Sequence, residues 1–223
     1  MNQPIFITGV ERSGSSLIAR IFNICHVHVG EVSTMYENLG VRIIMDNYLN
    51  SSKNGDLFTD TKLLKIPVDW NDLVLNILKS GGYKDGPWLC KGSKITQMWP
   101  VWHYAFPNAR WIIVRRRTGD IVQSCVKTGY MKLFKEERNR NLIGVTCEED
   151  GWRWWSQQYE KKFVEMITAG LNCKQVWPER MVTGDYQQVY ETLEWLGLKW
   201  SSKIVETIDP MLIKSRRKEQ WHT

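Results

Sequence analysis

Ile5-Phe6-Ile7-Thr8-Gly9-Val10-Glu11-Arg12-Ser13-Gly14-Ser15-Ser16-Leu17 is the stretch from which the rest of the chain is read. A short strand pattern, Ile5–Thr8, runs without a break into G-x-x-x-x-G and two hydroxyl residues, and an amphipathic stretch from Ser15 to Cys25 follows. Strand, glycine-bounded turn and helix in that order make a phosphate-binding loop. Gly14 lets the backbone curl tightly, and successive N–H groups with a helix N-terminus behind them form a cradle for an anion. A nucleoside triphosphate enzyme places Lys at position 15 to hold the outer phosphates. Here that position is Ser15, and the cation stands at Arg12.

Outward from this stretch, apolar runs and amphipathic stretches alternate to the far end, the pattern of an α/β fold with a mainly parallel sheet. Strands are expected at His26–Val29, Trp88–Lys91, Trp111–Arg115 and Gln175–Val182. Helices are expected over about 38–49, 69–79, 96–105, 118–127 and 151–169, the last because Trp152, Trp155, Tyr159, Phe163 and Met166 recur at helical spacing. Asp185 and Gln188 read as a capping box for a helix ending at Gly197. Ser51–Asp56 has the chemistry of a polar loop, Gly129–Glu149 reads as a mobile loop or lid, and Lys214, Arg216, Arg217 and Lys218 mark a basic tail. No repeat or linker divides the chain, so residues 1–223 are read as one domain.

A second phosphate signal lies at the strand Trp111-Ile-Ile-Val-Arg115, followed by Arg116-Arg-Thr-Gly-Asp120-Ile-Val-Gln-Ser124. An Arg at a strand's C-terminal end and a helix hydroxyl eight residues on can grip a phosphate. Arg12-Ser13-Gly14-Ser15-Ser16 resembles the 5′-phosphosulfate loop of the sulfotransferase family, [KR]-S-G-[TS]-[TS], and Arg116 with Asp120 and Ser124 resembles its 3′-phosphate motif. Thr118 departs from the Pro or Ala usual there. Trp88-Leu-Cys-Lys91-Gly-Ser93 is similar to the family strand that supplies a lysine to the sulfate, but Ser93 stands where the cytosolic enzymes carry a histidine base. Leu193-Glu-Trp-Leu-Gly197-Leu is similar to the family's closing helix.

The resemblance implies a single three-layer α/β/α domain of P-loop-like sulfotransferase fold. It implies transfer of a sulfuryl group from 3′-phosphoadenosine 5′-phosphosulfate to a hydroxyl or amine by in-line displacement. Arg12, Ser13, Gly14, Ser15 and Ser16 would hold the 5′ side, Arg116 and Ser124 the 3′-phosphate, and Arg12 and Lys91 the sulfuryl group. With no histidine at position 93, the expected base is a carboxylate. Glu31, directly after Gly30, is placed first, and Glu37, in Tyr36-Glu-Asn-Leu-Gly40, second. Trp154, on the other side of its helix from Trp152 and Trp155, could stack on an acceptor. A small molecule or carbohydrate is expected in that role.

Composition narrows the alternatives. Lys and Arg number 30 against 24 Asp and Glu, a net charge of +6 that suits an anionic ligand and is too small to argue for nucleic acid. Cys25, Cys90, Cys125, Cys147 and Cys173 are scattered singly, which argues against a zinc site or disulfide framework and for a reducing compartment. No metal is expected, since His26 and His28 share a face without a third ligand. No run is long enough to span a bilayer, so a cytoplasmic location without membrane contact is expected. The rival readings are a small-molecule kinase, disfavoured by Ser15, and a non-catalytic nucleotide-binding module.

Overall fold

Side-chain alternation along four short strands decides the architecture. The structure, a computed structural model, describes residues 3–52, 57–128 and 131–208. Its elements are β1 (Pro4–Gly9), α1 (Ser15–Ile24), α2 (Leu39–Ser52), a 3-10 turn (Thr61–Leu63), α3 (Trp70–Ser80), β2 (Trp88–Lys91), α4 (Lys94–Gln97), α5 (Trp99–Ala105) and β3 (Arg110–Val114). Then follow α6 (Thr118–Thr128), α7 (Glu137–Leu142), α8 (Glu148–Thr168), β4 (Cys173–Val176), α9 (Pro178–Val182), α10 (Gln187–Leu196) and α11 (Lys203–Thr207).

The strands pair in the order β2-β1-β3-β4, all parallel. β1 is flanked on both edges and covered on both faces, so all six of its residues are buried, which is why the run is apolar without alternation. Phe6, Trp88, Cys90, Trp111 and Ile113 point to one face and pack on residues of α2, α3, α5, α6 and α8. Ile5, Ile7, Leu89, Ile112, Val114 and Val176 point to the other and meet α1, α9, α10 and α11. Three layers result, as expected.

Phe6 sits among four aromatic rings in edge-on contact, Trp102 at 4.8 Å, Trp111 at 4.9 Å, Phe106 at 5.7 Å and Trp88 at 5.9 Å. Part of the tryptophan content is thus core. Because all four strands run the same way, their C-terminal ends share one edge of the sheet, the edge at which open α/β sheets bind ligands.

Several expectations are corrected. His26–Val29 forms one bridge, His28 to Trp88, rather than a strand: His26 is left-handed at φ 63, and the chain turns away again at Gly30. The helix over 96–105 is two, α4 and α5, broken at Met98. The last strand stops at Val176, because Pro178 opens α9 and has no N–H to give a ladder. The capping box does not form. Asp185 Oδ1 accepts from Gln187 N at 3.1 Å, while Gln188 is used up clamping β4, accepting from Trp177 N at 2.8 Å and donating to Gln175 O at 3.1 Å.

The segment expected as a loop or lid contains α7 and is pinned by Phe134, fully buried against Trp152 at 4.9 Å. Residues 51–52 end α2, and α10 ends at Gly197 as expected. Residues 53–56 of the polar loop, residues 129–130, and the basic tail lie outside the described residues.

Candidate active site

At the C-terminal ends of β1 and β3 the backbone leaves room for only one side-chain type. A Cβ on Gly9 would come within 2.5 Å of Val114 O and 2.6 Å of Ser13 Oγ, so glycine alone permits the loop to pass this close to β3. Gly14, at φ 95, bends the chain into α1, and a Cβ there would meet Pro178 Cγ at 3.0 Å. Arg12 is itself left-handed at φ 67, a conformation that costs a non-glycine residue about 1–3 kcal/mol and that clusters at functional sites. Inside this turn Ser13 Oγ is buried with no hydrogen-bond partner among the described residues. A buried hydroxyl without a partner beside the N-terminus of α1 fits an anion's oxygen.

The two phosphate motifs, about a hundred residues apart in sequence, meet through one side-chain pair and one side-chain-to-backbone bond. Arg12 Nε donates to Ser124 Oγ at 3.0 Å, and Arg116 Nη1 donates to Arg12 O at 2.9 Å. Arg116 Nε lies 3.7 Å from Glu179 Oε1, both side chains nearly buried. Neither sequence motif announced Glu179. It follows Pro178, whose helix α9 begins where β4 stops, and only the β3–β4 pairing brings it to Arg116. Ser124 is buried on α6 behind Arg12 and is not on the cavity wall.

Arg12, Ser13, Gly14, Arg116 and Glu179 line a cavity of about 470 Å³, together with Lys91, Glu37, Glu11, Ser93, Tyr36 and Met131. Ser15 and Ser16 also line it, and Ser16 Oγ donates to Met35 O at 2.9 Å. Lys91, at the end of β2, is 7% exposed and donates to Glu37 Oε1 at 3.2 Å. Burial pulls its ammonium below the ordinary lysine value, while Glu37 and, more weakly, Glu11 oppose the shift. Glu37 also lies 3.9 Å from Arg42 Nη1.

Glu31, placed first as a base from sequence, is exposed and off the cavity wall; its backbone carbonyl accepts from Leu39 N at 3.0 Å. The order is set by the turn between Val32 and Asn38, which bridge each other and carry Thr34 to Glu37 back over the loop. Trp154 lines a different cavity of about 320 Å³ beside Phe58, Ile143 and Lys162.

Sequence reasoning missed Glu11. Its Oε1 accepts from Ser93 Oγ at 2.7 Å and Tyr159 OH at 3.3 Å, and its Oε2 from Trp155 Nε1 at 2.7 Å. The only signal was a carboxylate inside a loop built to bind anions. Among the described residues no group of three or more His, Cys, Asp or Glu side chains could hold a metal ion, and no helix is long and apolar enough to cross a membrane.

A family model described as "Sulfotransferase family" matches residues 4–202. A Caenorhabditis briggsae protein named "Putative protein-tyrosine sulfotransferase" is 23% identical over 213 residues, 91% of this chain and 68% of that one. The sulfotransferase domain from the curacin biosynthetic pathway superposes with a TM-score of 0.62 at 13% identity, over 94% of this chain and 78% of that one. The sulfotransferase domain of the Synechococcus PCC 7002 olefin synthase does so at 0.56 and 14%, over 96% and 83%. At those identities the structures speak to the fold alone.

Proposed function

The chain belongs to the sulfotransferase family, and from that premise we propose that it transfers a sulfuryl group from 3′-phosphoadenosine 5′-phosphosulfate to a hydroxyl or amine of a small-molecule or carbohydrate acceptor. The observation that carries the reading is the joining of the two motifs through Arg12, Ser124 and Arg116 beside the buried Ser13 hydroxyl. An ordinary adenosine triphosphate has no 3′-phosphate to occupy the second motif, and Ser15 offers no ammonium to outer phosphates.

In this reading the N–H groups of the loop, with Ser13, Gly14, Ser15 and Ser16, hold the 5′-phosphate, and Arg116 with Ser124 takes the 3′-phosphate. Ser124 accepts from Arg12, so a 3′-phosphate there displaces that guanidinium toward the 5′ side of the same loop. Arg12 and Lys91 then meet the charge that develops on the bridging and sulfuryl oxygens. The acceptor oxygen attacks sulfur in line, the bond to the bridging oxygen breaks, and a carboxylate takes the proton.

Glu37 is the carboxylate we assign to that step, because it lines the cavity beside Lys91, whereas Glu31 does not. When Lys91 turns to the sulfuryl group, Glu37 loses that partner and becomes available to a proton. The transferred group carries less charge than a terminal phosphoryl group, so the reaction does not require a metal. Five free thiols, three of them buried, suit the reducing cytoplasm that we propose as its location.

Calorimetry with adenosine 3′,5′-bisphosphate beside ATP–magnesium tests the reading. Tight binding of the bisphosphate and weak binding of ATP–magnesium are expected; the opposite order would sink it.

A further inference from the structure

The cavity wall next to Lys91 holds a carboxylate that neither motif uses. Glu11 is clamped by three donors, Ser93, Trp155 and Tyr159. Tyr159 is fully buried, and its hydroxyl accepts in turn from Gln97 Nε2 at 3.0 Å, so the clamp is anchored in the core. Trp155 and Tyr159 are themselves wedged by Phe58, with rings 5.1 and 5.2 Å away. A carboxylate has about four lone-pair sites, and three are filled here. Swinging to a nearby cation would cost Glu11 all three bonds. The Ser93 hydroxyl carries one hydrogen, which it gives to Glu11, so toward a ligand that oxygen can only accept.

Charge on the wall follows the same division. Arg12, Arg20, Lys91 and Arg116 stand against Glu11, Glu37 and Glu179. In the sulfuryl-transfer reading, on which this inference rests, the donor's phosphates and sulfuryl group claim Arg12, Lys91 and Arg116, and Arg20, exposed on α1, stands on the helix that opens from the donor's own loop. Glu179 stays with Arg116. What remains for the acceptor is two carboxylates, Glu11 and Glu37, and the lone pairs of Ser93. An acceptor carrying its own anion would meet these carboxylates and the charged donor together, and such like-charge contacts discriminate strongly between ligands of one shape.

We propose that Glu11, fixed by Ser93, Trp155 and Tyr159, is a specificity-determining residue that selects acceptors rich in hydrogen-bond donors, uncharged polyols or cationic amino alcohols, over hydroxy compounds bearing a carboxylate or phosphate.

The test uses the full chain, labelled sulfuryl donor and three acceptors on one skeleton: 1-phenyl-1,2-ethanediol, 2-amino-1-phenylethanol and mandelate. The diol and the amino alcohol should exceed mandelate in kcat/KM by about tenfold or more, the scale that 1.4 kcal/mol of discrimination produces. In Glu11→Gln the gap should close, chiefly through a higher KM for the amino alcohol, and Glu11→Asp should restore part of it. A merely structural role would lower all three acceptors alike. If Glu11→Gln does not fold, Ser93→Ala keeps the carboxylate with two of its donors, and the gap must persist there. Mandelate equal to or better than the others, an unchanged gap in Glu11→Gln, loss of the gap in Ser93→Ala, or failure of both favoured acceptors to react or bind overturns the proposal. Failure of adenosine 3′,5′-bisphosphate to bind overturns instead the reading beneath it.

Discussion

Arg116, two residues beyond the end of β3, joins the two sequence motifs through its bond to Arg12 O. Arg116→Ala should weaken adenosine 3′,5′-bisphosphate by about 1.5–3 kcal/mol, the scale of a charge-assisted hydrogen bond. AMP, lacking the 3′-phosphate, should lose much less; equal losses in calorimetry would remove Arg116 from that role. Lys91 makes a different prediction, because burial lowers its proton affinity. Between its folded pKa and the ordinary lysine value the unfolded chain binds the extra proton, so raising pH through that window stabilises the fold while removing the cation. Donor binding and turnover should therefore fall on an alkaline limb below the ordinary lysine range. Lys91→Arg should move that limb upward, since a guanidinium stays charged. Lys91→Met should lower turnover far more than affinity for the desulfated nucleotide, and a pH–rate profile of each variant decides.

At the scale of an element, the turn between β1 and α1 tolerates no Cβ at Gly9, where the nearest obstruction, Val114 O at 2.5 Å, is backbone of the neighbouring strand. Gly9→Ala should cost about 1–3 kcal/mol as overpacking and should also lower nucleotide affinity, since it pushes on Ser13. Chemical denaturation and calorimetry on one preparation measure both, and a variant of unchanged stability would contradict the contact. The segment 131–147 offers a second case. It is polar and lacks strong periodicity, yet it docks on α8 through Phe134, whose ring also fills the space a side chain at Gly151 would need, with Phe134 Cγ 2.4 Å from such a Cβ. Phe134→Ala should lose about 3–5 kcal/mol, or, if 131–147 opens as a local unit, should raise hydrogen exchange there with little global change. Protection unchanged on both counts would contradict the anchoring.

For the whole molecule, the edge that carries the candidate site is assembled from all four strands: Gly9, Lys91, Val114 and Val176 end there, and β1, paired on both sides, leads into the glycine-bounded turn. A nucleotide bound across this edge ties β1 to β3 and should stabilise the domain as a unit. At a hundredfold excess over Kd the gain is about 2.7 kcal/mol, which for a chain of this length is a rise in Tm of about 5–10 °C. Adenosine 3′,5′-bisphosphate should produce it in a thermal melt, and ATP–magnesium should not. A shift of equal size from both would speak against the 3′-phosphate site.

The sequence by itself determined the strand–turn–helix of about 5–25, the strand at 88–91, the helix along about 151–169 and the two motifs with a phosphate-binding pattern, because each is local. Apolar period, glycine spacing and an Arg at a strand end are set by neighbours in the chain, and they survive whatever the tertiary arrangement is. It did not determine the end of β4, the single bridge at His28, the placing of Glu37 rather than Glu31 on the cavity wall, or Glu11 in the grip of α8. Those depend on contacts with high sequence separation. The turn bridging Val32 to Asn38 carries Glu37 over the loop, the β3–β4 pairing brings Glu179 to Arg116, and packing of α8 on the sheet brings Trp155 and Tyr159 across more than 140 residues to one carboxylate. A carboxylate's role follows from which donors surround it, and for Glu11 and Glu37 the chain supplies those donors only after it has folded.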